Sequence, residues 1–179
     1  MSLEGRTIAI LIAPEGTEEV EFVKPKEAIE SAGGKVVVVG IEKGQAKTVN
    51  GDLEPGGKYD VDVEIGSVDP QEYDGIVIPG GTVGSDKLRS DENVVSFVKK
   101  ALSGGKSVAV ICHGPWVLVE AGAVKGRRVA SFPSLKTDIN NAGGTWTDEE
   151  VVVDGQVITS RNPDDLPAFC SKLVEVFGE

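Results

Sequence analysis

Cys112 stands where a run of apolar residues meets a proline, in GKSVAVICHGPWVLVEAGAV over 105–124. The stretch reads as a buried strand ending at Cys112, a turn at His113 and Gly114, and a helix opened by Pro115. Proline suits the first helical position because the N–H it lacks would be unpaired there. Glycine permits the sharp turn. This is the pattern of a nucleophile elbow, in which the reactive side chain is exposed on a tight strand-to-helix turn. A thiol at that place feels the positive end of the helix dipole, which predicts a lowered pKa and a ready thiolate, the nucleophilic form. His113 is the sole histidine, so any imidazole taken from this chain is this one. Adjacency does not say whether its ring faces the thiol. Cys170, beside Phe169 and Leu173 in a helical stretch, reads as packing.

Two other junctions carry groups that suit such a thiol. In IVIPGGTVGSD (76–86) a strand closes on Gly80 and Gly81, whose free backbone amides suit an oxyanion hole or anion nest. In APEGTEEVEF (13–22) the first strand is followed by Glu15, Glu18, Glu19 and Glu21. If the strands run parallel, a carboxyl here shares an edge of the sheet with Cys112. Buried, it stays protonated and hydrogen-bonds a thiolate, or serves as general acid or base. As a plain charge run it is a solvated loop ahead of a helix starting near Phe22.

The elements that must position these groups alternate. Apolar runs at 7–13, 35–41, 75–81 and 107–112 are rich in Val and Ile and closed by Gly or Pro, apart from the last, which ends at Cys112. Runs of this length suit strands buried on both faces, as in a parallel sheet. Helical spacing falls at 22–34, 91–105 and 163–178, with Ser90 or Asp91 as N-cap of the second. The alternation predicts a doubly wound α/β sandwich with a mostly parallel central sheet, one domain over 1–179. Residues 48–65, with Asn-Gly and Gly-Gly turns, read as a small β-excursion, and 149–161, with Asp-Gly, as a hairpin.

Composition excludes several classes. A net charge of −11 repels phosphate backbones and argues against a nucleic-acid groove. Two cysteines without CxxC spacing, and a single histidine, give no disulfide framework and no metal site. No run approaches the roughly 20 apolar residues of a membrane span, and the N-terminus lacks a signal-peptide pattern. A reducing cytoplasm is the expected compartment.

The combination of EExE after the first strand, PGG after a middle strand and AxICHGP at the elbow resembles the PfpI family, in the class I glutamine-amidotransferase-like superfamily. The likeness extends over LKTDINNAG (135–143), WTDEEVVVDG (146–155) and TSRNPDDLPAF (159–169). It implies a flavodoxin-like sandwich, with Cys112 as nucleophile and His113 as the histidine that follows it. It also implies Glu21 against the sulfur, Glu18 lining the same pocket, and Gly81 and His113 donating the oxyanion-hole N–H groups. Gly80 and Trp116 would line the pocket, Trp116 standing where glutamine is often seen and making the wall more apolar. Asp86 would complete a Cys-His-acid triad across a subunit interface, in a homodimer or higher homo-oligomer. No cofactor or metal is implied. The activities implied are a deglycase or glutathione-independent glyoxalase acting on methylglyoxal-type dicarbonyls or their adducts in stress protection, and an intracellular cysteine peptidase acting on peptides. A non-enzymatic redox sensor or stress chaperone is a third reading. Glutamine amidotransferase activity is disfavoured, because no histidine follows His113.

Overall fold

The computed structural model describes residues 1–179. In chain order its elements are β1 (Thr7–Ile12), β2 (Glu15–Glu18), α1 (Glu19–Ser31), β3 (Lys35–Gly40), β4 (Gly44–Asn50), β5 (Glu54–Val61), β6 (Val63–Glu64), β7 (Gly75–Ile78), α2 (Thr82–Ser90), α3 (Glu92–Ser103), β8 (Ser107–Ile111), α4 (Pro115–Glu120), β9 (Arg128–Val129), α5 (Lys136–Asn141), β10 (Thr145–Trp146), β11 (Val152–Asp154), β12 (Val157–Ser160) and α6 (Leu166–Phe177). The apolar runs become β1, β3, β7 and β8 in a seven-stranded sheet ordered β11-β12-β8-β7-β1-β3-β6. Every pairing in it is parallel except β11 with β12.

Successive side chains of a strand point to opposite faces, and both faces are covered here. Ile8, Ile10 and Ile12 pack in one core with Phe22 and Ile29 of α1 and Phe169 and Leu173 of α6. Ala9, Leu11, Ile76 and Val108 join Val94, Phe97 and Val98 of α3 and Val117 and Leu118 of α4 in the other. That is why these strands are apolar throughout rather than alternating.

Leaving aside the two-residue β6, the parallel strands run β3-β1-β7-β8-β12, the flavodoxin-like order. The winding reverses between β1 and β7. Open α/β sheets bind ligands outside the carboxyl ends of their strands at such a switch point. Residues 44–61 form the β4–β5 hairpin, which joins β2 in a separate three-stranded sheet. The segment 149–161 holds the β11–β12 hairpin.

Two features of the elements bear on the site. Helix α1 begins at Glu19, ahead of Phe22, so Glu21 lies in a first helical turn instead of an acidic loop. The apolar stretch after Pro115 gives only the six-residue α4, because the chain turns out at Ala121 and Gly122, the latter at φ 68°.

Candidate active site

Strand β8 stops at Ile111, and Cys112 takes a left-handed backbone conformation, φ 63°. For a residue with a Cβ this costs about 1–2 kcal/mol. The surroundings enforce it: the Cys112 N–H donates to Ser160 O (3.1 Å), and its carbonyl accepts from the Phe132 N–H (2.8 Å). Strain of this kind gathers at functional sites, where it aims a side chain. The sequence suggests an exposed thiol, but Cys112 is only 6% exposed. The expected lowering of its pKa is also overturned. Burial pushes the thiol well up, ionised Glu21 adds to this, and the backbone N–H groups of Gly81 and His113 work against it. The dipole of a six-residue helix is too weak to reverse the loss of solvent.

Glu21 is fully buried. Its Oε2 accepts from the Gly80 N–H (2.8 Å), its buried Oε1 has no partner, and the carboxyl lies beside the Cys112 thiol. Burial, opposed by the hydrogen bond its charged form accepts from Cys112, lifts its pKa from 4.5 to about 8, so the group holds its proton at neutral pH. Gly80 makes the approach possible: a Cβ there would collide with the Glu21 carboxylate and stand 2.7 Å from the Cys112 Cβ.

His113 turns its ring toward the thiol, with Nδ1 3.2 Å from Sγ. It is stacked on Phe132 (centroids 4.6 Å) and meets Trp116 edge-on (5.2 Å). Burial holds its pKa below the ordinary value, with Asp52 opposing. Trp116 therefore walls the imidazole, its own indole N–H donating to Asp138 (2.9 Å) and the Arg89 guanidinium lying over its face.

Glu18 is also buried, but its carboxylate is engaged. It accepts from the N–H groups of Gly51 (2.7 Å) and Asp52 (3.1 Å), at the tip of the β4–β5 hairpin. It therefore fixes this loop against the site. The loop delivers Asp52, a residue that sequence reasoning missed, whose carboxylate accepts from Thr82 N–H at the start of α2 (2.7 Å) and lies 2.9 Å from the Thr82 hydroxyl. That hydroxyl is 3.3 Å from His113 Nε2, and Ser134 Oγ is 3.4 Å from it. Asp52 has φ 63°, a conformation that Asp and Asn tolerate better than most residues. The sequence signal that could have drawn attention to it is the Asn50-Gly51-Asp52 run, residue types that suit such a turn. Asp86 does not join the cluster within the chain: its carboxylate pairs with Arg89 (3.2 Å) on the exposed side of α2.

Gly81 caps α2 at φ 88°. A Cβ there would collide with Gly16 O and stand 2.7 Å from Glu18 N. Gly81→Ala is expected to cost about 3 kcal/mol and lower the melting temperature by roughly 10 °C. Calorimetry measures this, and an unchanged melting temperature would show that the junction yields easily.

The fold and these residues define a class: a flavodoxin-like α/β sandwich with a cysteine elbow at the switch point of its sheet. The description "DJ-1/PfpI family" belongs to a family model that matches residues 6–176. The chain is a member of that family. It is 40% identical over 159 residues to Deglycase PH1704 of Pyrococcus horikoshii, covering 89% of this chain and 92% of the relative. It is 39% identical over 174 residues to Protein/nucleic acid deglycase 2 of Escherichia coli, covering 97% and 98%. Among solved structures it is similar to oxidized Toxoplasma gondii DJ-1, with a TM-score of 0.84 and 27% identity over 96% of this chain and 90% of that one.

Proposed function

We propose that the protein is a cysteine-dependent enzyme of the deglycase or glutathione-independent glyoxalase type, acting on methylglyoxal-type dicarbonyls or their adducts. The observation that carries this reading is the Cys112 sulfur held between His113 Nδ1 (3.2 Å) and the buried, protonated Glu21. His113 takes the thiol proton, and the sulfur adds to the aldehyde carbon to give a hemithioacetal. The carbon-bound hydrogen then leaves to a base as a proton and returns at the neighbouring carbon, giving a thioester. Water cleaves the thioester to lactate and the free thiol. Glu21 and His113 are the groups placed to carry these protons. Glu18, occupied by two backbone N–H groups, serves by holding the loop. The N–H groups of Gly81 and His113, which face the sulfur, are placed to receive developing negative charge beside it.

A small substrate suits the surface. Cavities of about 650 and 520 Å³ are lined by residues of α2, α3 and α4 and by α1 with α6, and neither includes Cys112. A peptidase would need a cleft for a chain, and would need Asp86 of a second copy to orient His113. Homo-oligomers and a cytoplasmic location belong to this proposal. The unpaired thiols of Cys112 and Cys170 fit a reducing compartment.

The test is consumption of methylglyoxal by the reduced protein, with lactate quantified, beside release of the adduct from a glycated peptide. Lactate or released adduct supports the reading. Neither, with cleavage of a fluorogenic peptide, overturns it in favour of a peptidase.

A further inference from the structure

A buried thiol with a raised pKa needs a base, and the base must present a bare nitrogen to it. In a neutral imidazole one nitrogen carries the proton and the other accepts. Which is which follows here from the groups behind His113. The Asp52 carboxylate can only accept hydrogen bonds. It takes one from the Thr82 N–H (2.7 Å), and the Thr82 hydroxyl at 2.9 Å must donate to it as well. A hydroxyl has one hydrogen. With that hydrogen committed to Asp52, Thr82 Oγ1 offers only a lone pair to His113 Nε2 at 3.3 Å. Nε2 must then be the donor, and Nδ1, 3.2 Å from the Cys112 sulfur, is left bare. Ser134 Oγ, 3.4 Å from Nε2, is free to turn its hydroxyl and accept from it as well.

We infer that Asp52, acting through the Thr82 hydroxyl, fixes the tautomer of His113 and so makes Nδ1 the base for Cys112 within a single chain. The inference rests on the reading of Cys112 as nucleophile. When the thiol proton passes to Nδ1, a thiolate and an imidazolium form. Asp52, linked to Nε2 through one hydroxyl, then faces the new positive charge. An acid from the chain itself thus takes the place assigned on sequence to Asp86 of a second copy. Asp52 touches no reacting atom and is a positioning residue. Simple capping of α2 would require only one carboxylate oxygen on the Thr82 N–H. The second oxygen on the hydroxyl is what relays direction to the ring.

Since His113 is the chain's single histidine, long-range proton–nitrogen NMR of the imidazole reads its tautomer without assignment. In the wild type at neutral pH the spectrum is expected to show the proton on Nε2. Asp52→Asn keeps a residue that tolerates the left-handed turn, but its amide can donate to the Thr82 oxygen. The relay then loses its fixed sense, and the Nδ1–H form gains population. The turnover number for methylglyoxal is expected to fall about tenfold or more, with KM within about twofold. Thr82→Val combined with Ser134→Ala should behave alike, and Thr82→Ser should restore the wild-type spectrum. A wild type protonated on Nδ1, or an Asp52→Asn spectrum identical to the wild type, overturns the inference. The wild-type spectrum decides even if a variant fails to fold. A wild type with the Nε2–H tautomer but no dicarbonyl turnover would instead sink the proposed activity and leave the relay standing. The rate of Cys112 alkylation by iodoacetamide then replaces turnover as the kinetic readout.

Discussion

Cys112→Ala is expected to lower turnover by at least about a thousandfold, the scale on which loss of a covalent nucleophile is felt. The melting temperature should move by only a few degrees. The kinetic part follows from the geometry: His113 Nδ1, the Glu21 carboxyl and the N–H groups of Gly81 and His113 all converge on one sulfur. Without it they have nothing to activate. The structural part follows from the backbone. Alanine has the same Cβ and meets the same left-handed conformation, so the strain at φ 63° is retained. The hydrogen bonds to Ser160 O and from Phe132 N–H are backbone bonds that the substitution leaves in place. Only one buried sulfur is lost. Cys112→Ser keeps a polar atom in place of the thiol and should be nearly as inactive, since a hydroxyl is far less acidic than a thiol. Steady-state kinetics with a melting curve checks both. Turnover within tenfold of wild type in Cys112→Ala would remove the cysteine from the chemistry.

Much of the fold was legible because burial on both faces leaves a plain mark. β1, β3, β7 and β8 are continuous Val- and Ile-rich runs, and only strands covered by helices on either side need to be. Cys112 was legible for a local reason, the strand, turn and Pro115 that surround it. What failed to show was whatever depends on the third dimension. Residue types alone left the run of four glutamates open between a buried carboxyl and a solvated loop, and only the family resemblance singled out Glu21, which is fully buried while Glu15 is exposed. No periodicity separates them. The thiol's environment was misjudged because an elbow pattern suggests an exposed side chain, whereas the fold buries Cys112 and so raises its pKa. Asp52 lies in a turn of the β-excursion, far from Cys112 in sequence. It reaches the site only because Glu18 ties down the hairpin tip and α2 starts at the same point. Such a placement is set by packing between two sheets, which single-sequence patterns do not carry.

The burial of Glu21 also gives it a large pH dependence near neutrality. Its folded pKa of about 8 stands above an ordinary value of 4.5, mainly through loss of solvent. A group whose folded pKa is raised contributes its full share of stability below the unfolded pKa. That share is lost as pH rises through the folded value. For Glu21 the loss runs from about pH 4.5 to about pH 8. Glu21→Gln cannot ionise. Its amide oxygen can accept from the Gly80 N–H, and its NH2 fills the place of the second carboxyl oxygen beside the sulfur. At about 1.4 kcal/mol per pH unit, the variant should gain about 4 kcal/mol on the wild type between pH 5 and pH 9, measured by urea unfolding at each pH. A gap that stays constant would mean that Glu21 titrates as an exposed carboxyl does. The gain in stability should come with a loss of turnover, since the amide fills the site but cannot pass a proton. Glu21 is thus expected to be a residue kept at the expense of stability. On the proposed mechanism, a carboxyl that ionises near neutrality in a place with no solvent for its charge is kept because the sulfur beside it needs a proton that can move.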